Sequence, residues 1–240
     1  MAKIKLKIDG REFEAEKGEY VLDIARREGF DIPTLCHNDQ VSREGRCRIC
    51  VVEVRWQEGG HGRVVTSCLY PADDGLIVET NSEKVRLVRR MVLELLLARN
   101  PEAKIIREMA EEYGIKQSRF GADEDFGKCI LCGLCVRTCR EVVGVEALGF
   151  SMRGVLKKVG PAFSEPSDVC IGCGACYFVC PSGHIIMTDK GDERKIWGKS
   201  FKMERCSRCG RYFAPKYQLE WMSKKTGVPY EKLCVCLDCK

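Results

Sequence analysis

The sequence predicts an α+β protein made of four small segments, in which cysteine ligation supplies part of what an apolar core would. Three observations predict it. Seventeen cysteines occur in 240 residues while aromatics make up only 8%, so bulky core residues are scarce and metal or disulfide bonds must carry part of the stability. Hydrophobic periodicity runs at two residues near the N-terminus and changes to helical steps over about 82–115. Twelve residues then occur twice, "KCILCGLCVRTC" at 128–139 and "VCIGCGACYFVC" at 169–180, a period of 41. Boundaries drawn at these changes give segments 1–80, 81–122, 123–192 and 193–240.

"KIKLKI" (3–8) alternates as a strand, "DG" at 9–10 is a hairpin turn, and "REFEA" returns as the second strand. "VLDIARREG" follows with apolar residues at helical spacing and a stop at Gly29. "CVVEVRW" and "LIVET" read as further strands, so the first segment predicts a small sheet curled over one helix. From Ser82, a plausible cap, a cysteine-free connector runs to about 115 and is divided by Pro101 into two helices. Its Arg86, Arg89 and Arg90 predict a solvated or partner-facing side. The C-terminal segment sets "CSRCG" and "CVCLDC" around a helix-like "YQLEWMSKKTG".

The N-terminal twenty residues have neither an apolar signal run nor a twin-arginine tract, which predicts a cytoplasmic chain whose thiols stay reduced and free to ligate. No stretch approaches 18 apolar residues, so no membrane insertion is expected. Net charge is +5, from 40 basic and 35 acidic residues interspersed along the chain. Such a mixture predicts a solvated surface and no nucleic-acid binding.

The doubled run points to iron–sulfur chemistry. In two-cluster ferredoxins each C-x2-C-x2-C loop gives three thiolates to its own cluster and the fourth cysteine of the run crosses to the other. This assigns Cys129, Cys132, Cys135 and Cys180 to one 4Fe-4S cluster and Cys139, Cys170, Cys173 and Cys176 to a second. Gly133, Gly172 and Gly174 let backbone amides approach the sulfides. Pro181 follows the second run as the bacterial pattern asks, whereas Arg140 replaces that proline in the first. Structural zinc is the alternative for these eight cysteines.

A third set, Cys36, Cys47, Cys50 and Cys68, has a longer first gap than a plant-type 2Fe-2S ferredoxin. Its surroundings, "PTLCHNDQVSREGRCRICVVEV" and "TSCLYPADDGLIVET", resemble the N-terminal 2Fe-2S domain of the large iron–sulfur subunit of complex I. They also resemble the corresponding diaphorase subunits of NAD-linked hydrogenases and electron-bifurcating flavin oxidoreductases. The resemblance covers residues 1 to about 190 and implies a β-grasp 2Fe-2S domain, a helical connector and a two-cluster ferredoxin-like domain. The His-x3-Cys-x2-Cys-x5-Cys site usual in the complex I subunit is missing, since "LLARNPEAKIIREMAEEYGI" contains no ligand.

Cys206, Cys209, Cys236 and Cys239 form two C-x2-C pairs suited to a zinc-ribbon-like module holding one zinc ion. Cys234 is a possible substitute ligand, and iron or a third 4Fe-4S cluster is the alternative occupant. His37, beside Cys36, lacks a second histidine at Rieske spacing and is given a surface or hydrogen-bonding role. His61 and His184 receive no catalytic assignment, and Trp56, Tyr177 and Phe178 are read as packing.

No dinucleotide fingerprint, P-loop or nucleophile–base pair occurs in the sequence, so no substrate site is expected and FMN or FAD and NAD(P) are expected on partner subunits. The resemblance implies an electron-transfer subunit of a multi-subunit NAD(P)H-linked oxidoreductase, without a catalytic residue of its own. Its partners would be a flavin subunit similar to the FMN subunit of complex I, a small thioredoxin-like 2Fe-2S subunit, and a terminal partner. That last could be a hydrogenase, a formate or aldehyde oxidoreductase, or ferredoxin. A succinate dehydrogenase or fumarate reductase iron–sulfur subunit and a zinc-stabilised nucleic-acid-binding module are the alternatives.

Overall fold

The computed structural model describes residues 2–121 and 128–240. It divides into two compact units, Met1–Cys132 and Gly133–Lys240; the boundary expected at 122/123 lies outside the described residues. Among the described residues no helix is long and apolar enough to cross a membrane.

In the first unit β1 (Lys3–Ile8) and β2 (Arg11–Glu16) form the expected hairpin. Asp9 and Gly10 both take positive φ, +46° and +78°, the pair of left-handed residues a type I′ turn requires. Helix α1 (Val21–Arg27) buries Val21, Leu22, Ile24 and Ala25 and stops ahead of Gly29. Strands β3 (Val51–Arg55), β4 (Arg63–Thr66) and β5 (Ile77–Glu79) complete a sheet of order β2-β1-β5-β3-β4, with β1 and β5 parallel. The sequence reading passed over β4, whose short "RVVT" follows a Gly-rich turn. Ile4, Leu6 and Ile8 from one face of β1 meet Leu22, Ile24, Leu76 and Val78 in the core, each worth about 1.5–3 kcal/mol of apolar transfer.

Ser82 caps α2 (Glu83–Arg99), its hydroxyl accepting from the Val85 amide at 3.3 Å and donating to Glu53 Oε2 at 2.6 Å. Pro101 lies between α2 and α3 (Lys104–Glu112) as expected. One expectation fails within α2. Arg86 and Arg90 are exposed, but Arg89 is buried, donating to the Val51 carbonyl at 2.8 Å and the Tyr113 hydroxyl at 3.1 Å. Its i+4 spacing from Val85 places it on the face that packs against β3.

In the second unit α4 (Leu134–Arg137) continues as a π-helical turn over Thr138–Val143, and a two-stranded ribbon, β6 (Gly149–Ser151) and β7 (Lys158–Gly160), precedes α5 (Ala175–Phe178). A four-stranded antiparallel sheet of order β11-β10-β9-β8 then forms from β8 (Met187–Lys190), β9 (Glu193–Ile196), β10 (Lys199–Arg205) and β11 (Tyr212–Pro215). Helices α6 (Lys216–Thr226) and α7 (Tyr230–Leu233) follow. The sheet starts at Met187, ahead of the boundary drawn at 192/193, because Gly191 and Gly198 turn "MTDKGDERKIWGKSFKMER" into three adjacent strands.

Candidate metal centres

The first set of thiols lies where loops leave the N-terminal sheet. Cys36, Cys47, Cys50 and Cys68 are all buried, none more than 6% exposed. They fall into two pairs. The Cys47 amide donates to Cys36 Sγ at 3.4 Å, and Cys50 and Cys68 Sγ stand 3.4 Å apart. Contact with Cys68 and a hydrogen bond from Ser67 pull the Cys50 thiol down to about 6, while contact with Cys50 and burial push Cys68 upward and contact with Cys36 and burial push Cys47 upward. The two pairs also sense each other, since Cys68 feels the charges of Cys36 and Cys47. Arg43 locks these loops: its Nη2 donates to both carboxylate oxygens of Asp23 at 2.6 and 2.9 Å, its Nη1 donates to the Cys68 carbonyl at 3.2 Å, and it lies over the Tyr20 ring.

The sequence repeat is also a repeat of backbone conformation. Leu131 and Gly172 both have positive φ, as do Gly133 and Gly174, which open α4 and α5. The first run then departs from the second. Its π turn carries Cys139 inward, where the Ala147 amide donates to Cys139 Sγ at 3.3 Å. Burial raises the Cys139 thiol, with the charges of Cys173 and Cys170 adding to the effect. Burial likewise pushes Cys176 up to about 12, aided by Cys173, Cys139 and Cys170. Cys139, Cys170, Cys173 and Cys176 are therefore gathered in one neighbourhood. Cys180, in the same unit, has its Sγ 3.7 Å from Ser182 Oγ. Cys135 is buried in this unit, whereas Cys129 and Cys132 belong to the first.

At the C-terminus the thiols of Cys206, Cys209, Cys236 and Cys239 all lie within 4.8 Å of one another. Backbone amides of Cys236, Cys209 and Arg208 point at Cys206 and pull it down to about 6, the Cys236 amide at 3.3 Å. Arg211 reaches both Cys236 Sγ and Asp238. Cys234 turns away and donates to the Tyr230 carbonyl at 3.3 Å, so it is Cys236 that joins the other three.

Three residues that sequence reasoning missed close on the 170–176 loop from the downstream sheet. Arg194 of β9, 7% exposed, donates to the carbonyls of Gly172 at 3.1 Å and Cys173 at 3.5 Å and is held by Asp189. Lys199 of β10 donates to the carbonyls of Ser167, Asp168 and Cys170 at 2.9, 3.1 and 3.3 Å. Trp197, at the β9–β10 turn, donates its indole N–H to Cys176 Sγ at 3.4 Å. Phe201 and Met187 pack so closely on Gly172 and Gly174 that a β-carbon there would lie 2.7 Å from each. The only signal for this was "IWGK", a tryptophan where a two-residue hairpin loop usually has asparagine.

His37 is hydrogen-bonded to Asp39 at 3.0 Å, with its side chain buried, and burial lowers its pKa. His61 is exposed, and burial lowers the pKa of His184. Trp56 and Phe178 are 54% and 74% exposed, so neither fills a core.

Residues 1–83 match the family model described as a 2Fe-2S iron-sulfur cluster binding domain, and residues 163–212 match a 4Fe-4S dicluster domain. The chain carries iron–sulfur domains. It is 32% identical over 216 residues to the NADP-reducing hydrogenase subunit HndD of Solidesulfovibrio fructosivorans, covering 78% of this chain and 36% of that protein. It is 29% identical to the NADPH-Fe(3+) oxidoreductase subunit alpha of Geobacter sulfurreducens, over 94% of this chain and 28% of the relative. With the mitochondrial NADH-ubiquinone oxidoreductase 78 kDa subunit of Candida albicans it shares 26% identity, over 82% of this chain and 30% of that protein. The chain thus spans about a third of the length of the curated relatives it matches, or less. A chain from the crystal structure of NAD+-reducing [NiFe]-hydrogenase in the H2-reduced state superposes with a TM-score of 0.65 at 25% identity, over 90% of this chain and 94% of that one. The resemblance read from the cysteine motifs is therefore shared by sequence and by shape.

Proposed function

We propose that this chain is the electron-transfer subunit of an NAD(P)H-linked oxidoreductase complex, relaying single electrons between a flavin subunit and a terminal partner. The observation that carries the reading is the gathering of cysteines distant in sequence into separate sets within a chain that carries iron–sulfur domains. Iron–sulfur clusters, when bound, accept and return one electron at a time. What the chain contributes is the ligand geometry, the exclusion of water and the hydrogen bonds to sulfur.

The donor sets fit the groups assigned to them. A 2Fe-2S cluster needs two thiolates on each iron, and the pairing of Cys36 with Cys47 and of Cys50 with Cys68 supplies that split. The five-stranded sheet over α1 supports the β-grasp reading of segment 1–80, with 81–122 as connector. For the 4Fe-4S pair, the charges that Cys139 shares with Cys170, Cys173 and Cys176 support the crossover assignment. Grouping Cys129, Cys132 and Cys135 with Cys180 rests on the spacing.

Zinc is the reading for the C-terminal set, the module that follows the ferredoxin-like segment. A tetrahedral ion with bonds of about 2.3 Å holds its thiolates about 3.8 Å apart, and Cys209 and Cys236 Sγ are 3.8 Å apart. Four thiolates on four different irons would have to stand wider. The dicluster match extends over Cys206 and Cys209 and leaves out the first cysteine run, which makes iron the competing occupant and metal analysis the arbiter.

Flavin and NAD(P) belong on partners: a subunit similar to the FMN subunit of complex I, with a small thioredoxin-like 2Fe-2S subunit beside it. The terminal partner is a hydrogenase, another oxidoreductase or ferredoxin, and the cytoplasm is the proposed location. Anaerobically purified protein is expected to hold about ten irons and one zinc and to show paramagnetic signals on reduction. Mass spectrometry of co-purifying chains should find a flavoprotein. Colourless protein without such signals refutes the reading.

A further inference from the structure

We propose that Trp197 is a positioning residue for the metal centre formed by Cys139, Cys170, Cys173 and Cys176, and that its indole N–H raises that centre's affinity for an electron. The inference rests on the cluster assignment made above and goes beyond it by naming a residue outside the ligand set that tunes one centre.

The geometry points this way from three directions. Trp197 Nε1 is 3.4 Å from Cys176 Sγ, and indole N–H can only donate. Reduction adds one negative charge to the cluster and its thiolates and breaks no bond, so a donor aimed at a ligand sulfur stabilises the reduced form more than the oxidised one. Cys176 is 8% exposed, and in such a site the dipole is little screened.

Trp197 also occupies a conformation that its size disfavours. Its φ is +52° and that of Gly198 is +73°, the left-handed pair of a two-residue hairpin loop. A bulky side chain at such a position persists only where the surroundings hold it there. A β-carbon built on Gly160 would lie 3.8 Å from the indole ring, so the ring packs beside that glycine.

The rest of the β8–β10 sheet acts in the same sense. Arg194 and Lys199 place two cations at the carbonyls of the 167–173 segment, and positive charge near the centre favours the added electron. Met187 and Phe201 fix the loop from below. The sheet thus forms a bracket around one centre, with Trp197 as the member that touches a ligand sulfur.

The test is a potentiometric titration, followed by electron paramagnetic resonance, of the anaerobic full chain and its Trp197→Phe variant. Phenylalanine keeps the ring and loses the N–H. The expected result is a lower midpoint potential for one 4Fe-4S centre, about 59 mV for each tenfold change in electron partition at one electron, with the other centres unmoved. An unchanged potential in a variant with full iron content overturns the proposal and leaves the cluster assignment standing. Should Trp197→Phe lose iron, pulsed resonance on wild-type protein labelled with indole-15N tryptophan decides: nitrogen coupling to a reduced 4Fe-4S centre supports the proposal, and its absence overturns it. Wild-type protein without reducible 4Fe-4S signals would overturn the electron-transfer reading itself, and this inference with it.

Discussion

Gly172→Ala probes the bracket mechanically. Gly172 has φ +71°, and a β-carbon built on it would lie 2.7, 2.7 and 3.0 Å from three atoms of the Phe201 ring. Two costs add. A non-glycine residue in the left-handed region costs about 1–2 kcal/mol, and forcing a methyl group into a packed ring costs about 1–3 kcal/mol more. Gly191→Ala is the control, because its φ is +57° with nothing within 4 Å of the built carbon, so it should show the backbone cost alone. Urea denaturation of the anaerobic full chain, followed by circular dichroism, should therefore place Gly172→Ala about 1–3 kcal/mol below Gly191→Ala. In a Phe201→Leu background the excess should shrink, since the ring edge that causes it is gone. Equal destabilisation by the two glycine substitutions, or an excess that persists without the ring, would show that Phe201 does not brace the loop.

Further outcomes follow from the same geometry. Cys139→Ser should disturb the spectroscopic signal of the centre whose loop is 170–176 more than that of the 129–135 loop; loss confined to the nearer centre contradicts the crossover. Cys206→Ser should remove close to one equivalent of zinc while leaving the iron content unchanged, and metal analysis showing iron loss instead would reassign that site. Arg194 holds the Asp189 carboxyl below the usual carboxylate range. That contribution is present above the ordinary aspartate pKa and fades as pH falls through the lowered value. With the Asp189 side chain 45% exposed, screening keeps it under about 1 kcal/mol. Asp189→Asn should flatten the acid limb of a stability–pH profile, and a variant with an unchanged limb rejects the pairing.

The N-terminal hairpin, α1 and the Ser82 cap were legible in the sequence because each is a local decision. Period two, an Asp-Gly turn and a capping serine need no knowledge of distant residues. The cysteine spacings were legible for a related reason, since a loop around a metal imposes its step on the chain that makes it. Arg89 was misread. Charge gives no local sign that an arginine will be buried, and here its fate is set by a carbonyl 38 residues away. Arg194, Trp197 and Lys199 were missed on the same ground, because their partners lie about 20 to 30 residues upstream in sequence and are mostly backbone carbonyls, which carry no side-chain signature.

The two halves of the repeat illustrate how duplication can become division of labour. Both halves open on left-handed residues at matching positions, so the loop geometry is common to them. What differs is the exit. Arg140 permits a backbone amide where Pro181 forbids one, and the first run continues into the π turn that carries Cys139 toward the second loop. The second run ends at its proline, and within a few residues the chain becomes the sheet that folds back on Gly172, Gly174 and Cys176. That sheet's longest strand, β10, ends one residue before Cys206. A single continuous strand therefore joins the bracket at Lys199 to the tetracysteine site. Metal at the C-terminus would then do more than fold its own small module: by pinning the end of β10 it would hold Lys199 and Phe201 against the loop they brace. Stripping that metal should consequently alter the signal of the 170–176 centre even though none of the four thiolates belongs to it, and a signal that ignores the loss would separate the two sites.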